Sequence, residues 1–319
     1  MRYLSPLLGY ALKGLYQPLE VIARFKHFTA PLAGDVSIVR NVSYADHPLQ
    51  TCDILFPTSP SQSPRPVVLI AHGGSWIGGD KVLLSWVSHH IALQGFIVIN
   101  MNYRLAPQYL YTMQVQDIGH CLKWAAKHIS EFGGNHKHTF LMGETSGANL
   151  VTSYATAISY PYLRNTFQLP YCIPSEYLKG IVSYFGIFDL ERGIFANLPM
   201  ISHFYEAFLG GNQEKISEMI ELASPLRFAH SSLPPVFISA GEADPLFSQS
   251  ILFARKLRSL DHHYVTSFLQ KEDHPDCQHL LLYMQNKTMT KALNEGIRFM
   301  KHYSQNSKSI PSSTSTAVA

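Results

Sequence analysis

A hydroxyl, a carboxylate and an imidazole, met in that order along a chain, are what acyl transfer through a covalent intermediate requires. The hydroxyl candidate is Thr145, inside "TFLMGETSGANL" at residues 139–150. That segment reads as a strand, a glycine-flanked turn and a helix start. This is the layout of a nucleophile elbow, whose middle position normally holds serine. Gly143 and Gly147 flank the turn, and Thr145 stands in the middle. The acid candidate is Asp244 in "PPVFISAGEADPLFSQS", just beyond a strand. The base candidate is His274 in "LQKEDHPDCQHLL", with His279 as its competitor. "AHGGSWIGGDK" supplies the last part, an oxyanion hole, because Gly73 and Gly74 directly follow a buried strand. Glycines there let backbone N–H groups approach a substrate oxygen. No Gly-Lys-Ser/Thr follows, which argues against a phosphate cradle.

The threonine is the departure. The elbow residue sits at positive φ, where a β-branched side chain is poorly tolerated. Its methyl group also restricts χ1 and takes up room near the oxyanion hole. Shifting the register to Ser146 puts Glu144 and Ala148 at the flanking positions, where the turn wants glycine, so Thr145 is the expected nucleophile position.

These residues need a scaffold. "VSIVRNVSY" and "TCDILFP" read as early strands, and "RPVVLIAHGG" and "GFIVINMNY" are continuous apolar runs of the kind a strand buried on both faces shows. "YTMQVQDIGHCLKWAAKHISEF" has helical spacing and stops at Gly133-Gly134. Then come the strand "HTFLMGE", a helix from Ser146, the strands "LKGIVSYFG" and "PPVFISAG", a helix at "SILFARKLRSL", the strand "HYVTSFLQ" and a last helix "KALNEGIRFMKHY". Such alternation predicts an α/β fold with a mostly parallel central sheet flanked by helices. The stretch from about 187 to 233, with "EKISEMIELA", breaks the rhythm. It is expected to form a cap together with the N-terminal segment. The expected organisation is a helical cap segment over 1–35, a catalytic domain over 36–303 and a disordered polar tail over 304–319.

Composition narrows the function classes. Hydrophobic residues make up 46% and charged residues 15%, and the net charge is +3 without a basic block, so no nucleic-acid partner is expected. Cys52, Cys121, Cys172 and Cys277 are far apart, without zinc-type or redox spacing, which suits a reduced, cytoplasmic protein. Asp273, His274 and Asp276 lack a partner cluster, so no metal site is expected. The N-terminal "MRYLSPLLGYALKGLYQPLEVIARF" is interrupted by Pro6, Lys13, Pro18 and Glu20. It reads as amphipathic rather than spanning, with membrane-surface contact as the alternative.

Taken together, "HGGSWIGGDK", "NYRLAP" (102–107), "GETSGANL" and "ISAGEADPL" resemble the α/β-hydrolases of the hormone-sensitive-lipase-like and carboxylesterase group, including its arylformamidase-like branch. "EFGGN", "FGIFDL" and "SPLRF" agree with that resemblance, which covers roughly residues 36 to 303. The resemblance implies an α/β-hydrolase fold and a catalytic set of Thr145, Asp244 and His274. The family's acid-to-histidine separation favours His274 over His279. It also implies an oxyanion hole from the N–H groups of Gly73, Gly74 and Ser146, a structural Arg104–Asp117 pair, and Asp189 as a turn residue. The substrate it implies is a small to medium carboxylic ester or aryl amide, and no cofactor is needed. Because of the threonine, three readings stay open. They are a slow threonine-dependent esterase, a silent hydrolase fold that binds a ligand or protein, and a site where His274 activates water directly.

Overall fold

The side chains of Arg65–Ala71, strand β3, divide between two cores. Val67, Leu69 and Ala71 join one apolar cluster, while Val68 and Ile70 join the other. The alternation follows from the two-residue period of a strand buried on both faces. Strand β4 (Ile97–Met101) repeats it, with Ile97, Ile99 and Met101 on one side and Val98 on the other. The computed structural model describes residues 34–192, 201–210, 213–279, 281–283 and 286–305. The expected cap segment over 1–35 and tail over 304–319 lie almost wholly outside them.

The other strands are β1 (Val36–Ser43), β2 (Thr51–Pro57), β5 (Gly134–Glu144), β6 (Leu178–Tyr184), β7 (Val236–Gly241) and β8 (Tyr264–Leu269). They form one eight-stranded sheet in the order β1-β2-β4-β3-β5-β6-β7-β8. β1 and β2 pair antiparallel and β2 runs antiparallel to β4. All pairs from β4 through β8 are parallel. The parallel strands therefore end on one edge, and every element of the site hangs from that edge.

Parallel neighbours need crossovers, and the helices supply them. α1 (Ser85–Leu93) and α8 (Lys287–Gln305) cover one face, through Val87, Ile91, Met289, Leu293 and Ile297. α2 (Tyr111–His128), α3 (Ser146–Ala157) and α7 (Phe247–Ser259) cover the other, through Val115, Ile118, Leu150, Val151 and Phe253. α4 (Pro161–Thr166) is a short connector with proline in its first turn. α1, like the short α4, is a helix absent from the sequence pattern. The His89-His90 doublet interrupts its apolar spacing, yet the β3-to-β4 connection requires it. The irregular stretch after β6 carries α5 (Ile201–Leu209) and α6 (Gln213–Leu222), the second covering most of "EKISEMIELA". No helix among the described residues is long and apolar enough to cross a membrane.

Candidate active site

β5 ends at Glu144 and α3 begins at Ser146, so Thr145 alone makes the turn between them. Its φ of 52° and ψ of −113° lie in a region that a β-branched residue avoids. The surroundings hold it there. Thr145 N donates to Tyr184 O at 2.9 Å, and Thr145 O accepts from Asn149 N at 3.1 Å. The crossing of helix and sheet is close enough that only glycine fits beside it. A Cβ on Gly147 would stand 2.1 Å from Ala71 O, and one on Gly143 would stand 2.4 Å from Ala148 N. Those contacts explain why both flanking positions are glycine.

Asp244 follows β7, fully buried, and its Oδ1 accepts from Leu246 N at 2.8 Å. The same oxygen faces His279 Nδ1 at 3.1 Å, and His279 Nε2 faces Thr145 Oγ1 at 3.5 Å. Hydroxyl, imidazole and carboxylate thus fall into one line, with a loose first link. The imidazole in that line is His279, not His274 as the resemblance favoured. His274 belongs to the wall of the next helix, where its Nε2 meets Lys291 Nζ at 2.9 Å and its Nδ1 meets Thr288 Oγ1 at 3.4 Å. The physical reason lies in where the loop is anchored. Cys277 is fully buried, and a Cβ on Gly241 would stand 1.9 Å from its carbonyl oxygen, so the chain is clamped to the end of β7 just before His279. Asp276 adds a second clamp, accepting from Thr288 Oγ1 at 2.7 Å and Asn286 Nδ2 at 2.5 Å.

Burial on its own lowers the pKa of His279. The Asp244 hydrogen bond and the charges of Glu144 and Asp244 outweigh it, so the imidazole is more basic than an ordinary histidine. Glu144 is a residue whose part in the site the sequence reading did not anticipate. It is fully buried, accepts from Thr145 Oγ1 at 2.6 Å through Oε1 and from Tyr283 OH at 2.6 Å through Oε2. Burial raises its pKa, against the opposing pull of His279 and the two donors. Tyr283, four residues past His279, was equally invisible as a site residue.

The glycine turn expected to hold the oxyanion donors leaves β3 at Ala71. His72 stacks on Tyr103 with ring centroids 4.5 Å apart, and its Nδ1 lies 2.6 Å from Gly73 O. Burial lowers the His72 pKa, so the neutral ring donates to that carbonyl. Gly74, at φ 128°, accepts through its carbonyl from Ile77 N and Gly78 N at 3.1 and 2.9 Å. Ser75 and Trp76 follow at φ 52° and 64°. Ser146, the first residue of α3, has an N–H without an acceptor inside its own helix, as helix geometry dictates. Its hydroxyl is buried, away from the tip of the turn.

Two flanking expectations have direct counterparts. Arg104 grips Asp117 through Nε and Nη2, at 3.0 and 2.7 Å to Oδ1, and Asp117 also accepts from Arg104 N and Gln50 Nε2. Asp189 Oδ1 accepts from Glu191 N at 3.0 Å and Arg192 N at 3.2 Å, which makes it a turn residue. Among the described residues, no group of three or more His, Cys, Asp or Glu side chains is arranged to hold a metal ion.

Comparison with known proteins agrees with this architecture. The chain is 25% identical over 199 residues to esterase LipQ of Mycobacterium tuberculosis, covering 60% of this chain and 46% of that protein. It is 22% identical over 266 residues to esterase LipC of the same organism, covering 80% of this chain and 65% of that one. The chain thus spans about half to two thirds of the length of these curated relatives. An inhibited esterase B from Lactobacillus rhamnosis superposes with a TM-score of 0.82 at 19% identity, over 93% of this chain and 96% of that one, and it shares the α/β-hydrolase fold. The family described as BD-FAE matches residues 52–257, well over half of the sequence. With the sheet order and the elbow already in place, that match settles the family: this chain is a member of BD-FAE.

Proposed function

We propose that the protein hydrolyses small to medium carboxylic esters, with aryl amides as a related class, through Thr145, His279 and Asp244. The observation that carries this reading is the single line from Thr145 Oγ1 through His279 to Asp244 at the tip of the elbow. His279 Nε2 takes the hydroxyl proton as Thr145 Oγ1 attacks the acyl carbon, and Asp244 steadies the imidazolium that forms. The N–H groups of Gly73, Gly74 and Ser146 are the donors for the developing oxyanion. His279 then returns the proton to the leaving oxygen. Water, activated by the same imidazole, releases the acid and frees Thr145. The esterase names of the relatives support the substrate class.

A second reading has its own observation. The Thr145–His279 separation of 3.5 Å is long, and the hydroxyl is engaged by Glu144, which suits a silent site that only binds ligand. Purified protein and its Thr145→Ser, Thr145→Ala and His279→Ala forms, assayed on p-nitrophenyl acetate and butyrate, separate the two. Hydrolysis that survives in Thr145→Ser and vanishes in both alanine forms supports a threonine nucleophile. Activity confined to Thr145→Ser supports the binding role, and inactivity of all four forms removes the esterase reading.

A further inference from the structure

Thr145 Oγ1 is 2.6 Å from Glu144 Oε1 and 3.5 Å from His279 Nε2. A hydroxyl carries one hydrogen, so Thr145 gives it to the carboxylate or to the imidazole, never to both. The Glu144 contact is a close hydrogen bond, whereas the His279 contact lies at the outer limit of one, so Glu144 is the favoured acceptor. Glu144 is also locked in place. Tyr283 OH holds its Oε2, and that oxygen lies so close to the oxyanion turn that a Cβ on Gly73 would stand 2.0 Å from it.

We propose that Glu144 is a second acceptor built into the elbow, which withholds the Thr145 hydrogen from His279 and restrains the nucleophile. The proposal rests on the reading of Thr145 as nucleophile and His279 as its base. The groups facing this pair are few. Thr145 and Tyr283 donate to Glu144, while His279 and Asp244 act on it by charge. His279 in turn faces Asp244 and Glu144, with the uncharged ring of Phe185 edge-on at 6.1 Å. The carboxylate therefore acts twice, taking the hydrogen that a neutral His279 needs and making His279 harder to deprotonate. An amide reverses both effects. With its oxygen held by Tyr283, its NH2 would point at Thr145 Oγ1, which then accepts and turns its own hydrogen toward His279.

The test compares the full chain with its Glu144→Gln form. The readouts are p-nitrophenyl acetate hydrolysis from pH 5 to 9, melting temperature, and an NMR titration of the His279 ring nitrogens. The expected result is a kcat raised about threefold or more, with the acid limb of kcat/KM and the His279 titration both moved to lower pH. A slower enzyme with an unmoved limb and unchanged melting temperature would show Glu144 assisting catalysis, and would overturn the restraint. If Glu144→Gln does not fold, Glu144→Asp draws the carboxyl back by one methylene and is expected to raise kcat as well. No rise there overturns the proposal. If no form hydrolyses the ester, the nucleophile reading fails by itself, and an unmoved His279 titration still rejects the restraint.

Discussion

Phe208 of α5 lies face to face with Trp76 of the turn after β3, with ring centroids 4.2 Å apart and planes 10° from parallel. The stack joins an element inserted after β6 to the turn after β3. Tyr111 and Tyr205 meet the same phenyl ring at 6.3 and 5.9 Å, and Trp76 O accepts from Gln114 Nε2 at 2.9 Å. The insertion is therefore packed on the loop that holds Gly73 and Gly74, the proposed oxyanion donors. Removing the ring in Phe208→Ala is expected to cost about 3–5 kcal/mol of stability in denaturant unfolding. Because Trp76 loses its cover, kcat on a short ester should fall more than the fraction unfolded explains.

Exchanging the two histidines of one loop gives opposite results. His279→Ala should lower kcat/KM by about 100-fold or more, the scale of a lost general base. His274→Ala should stay near wild type in rate and lose only the contacts to Lys291 and Thr288. Equal losses in both forms would return the base to His274.

The pH dependence follows from the raised pKa of His279. Protonated imidazole cannot accept the Thr145 hydrogen, so activity is absent below that pKa and appears as pH rises through it. The acid limb should lie above the ordinary histidine value of about 6.5. Asp244→Asn removes the charge that holds the value up and can fix the wrong His279 tautomer, so its limb should move down in pH while the plateau rate falls by about 10⁴-fold.

Asp117 sits fully buried under the Arg104 guanidinium. Asp117→Ala leaves that cation without its partner and should destabilise the fold by about 3–5 kcal/mol. Its residual activity should keep the wild-type pH profile, because neither residue touches the Thr145–His279–Asp244 line. A shifted limb would mean that the pair tunes the site.

The sheet was legible in the sequence because strands buried on both faces read as near-continuous apolar runs, as in "PVVLIA" and, with Asn100 as the one polar residue, "IVINM". The positions of Thr145, Asp244, Gly73 and Gly74 at the carboxyl edge of the sheet were legible because each sits within a few residues of a strand end. His279 was not, since nine residues of loop separate it from Leu269 at the end of β8. Over that distance, spacing says little about which imidazole turns inward. The usable signal was apolar: Cys277 and Leu282 bracket His279 and both are buried, whereas the stretch around His274 is polar. The part of Glu144 was hidden for another reason: Tyr283, which completes its hydrogen bonding, lies 139 residues along the chain.

Of the seven non-glycine residues at positive φ among the described residues, Ser75, Trp76, Thr145 and Phe185, at 52°, 64°, 52° and 52°, adjoin the site, while Asn41 in β1, Gln168 after α4 and Asp261 before β8 lie elsewhere. Each such conformation costs on the order of 1–3 kcal/mol and persists only while its neighbours enforce it. More than half of these conformations are thus gathered along the carboxyl edge of the sheet. On gentle heating, the edge should uncoil while the strands beneath stay paired, so that inactivation runs ahead of the loss of circular dichroism.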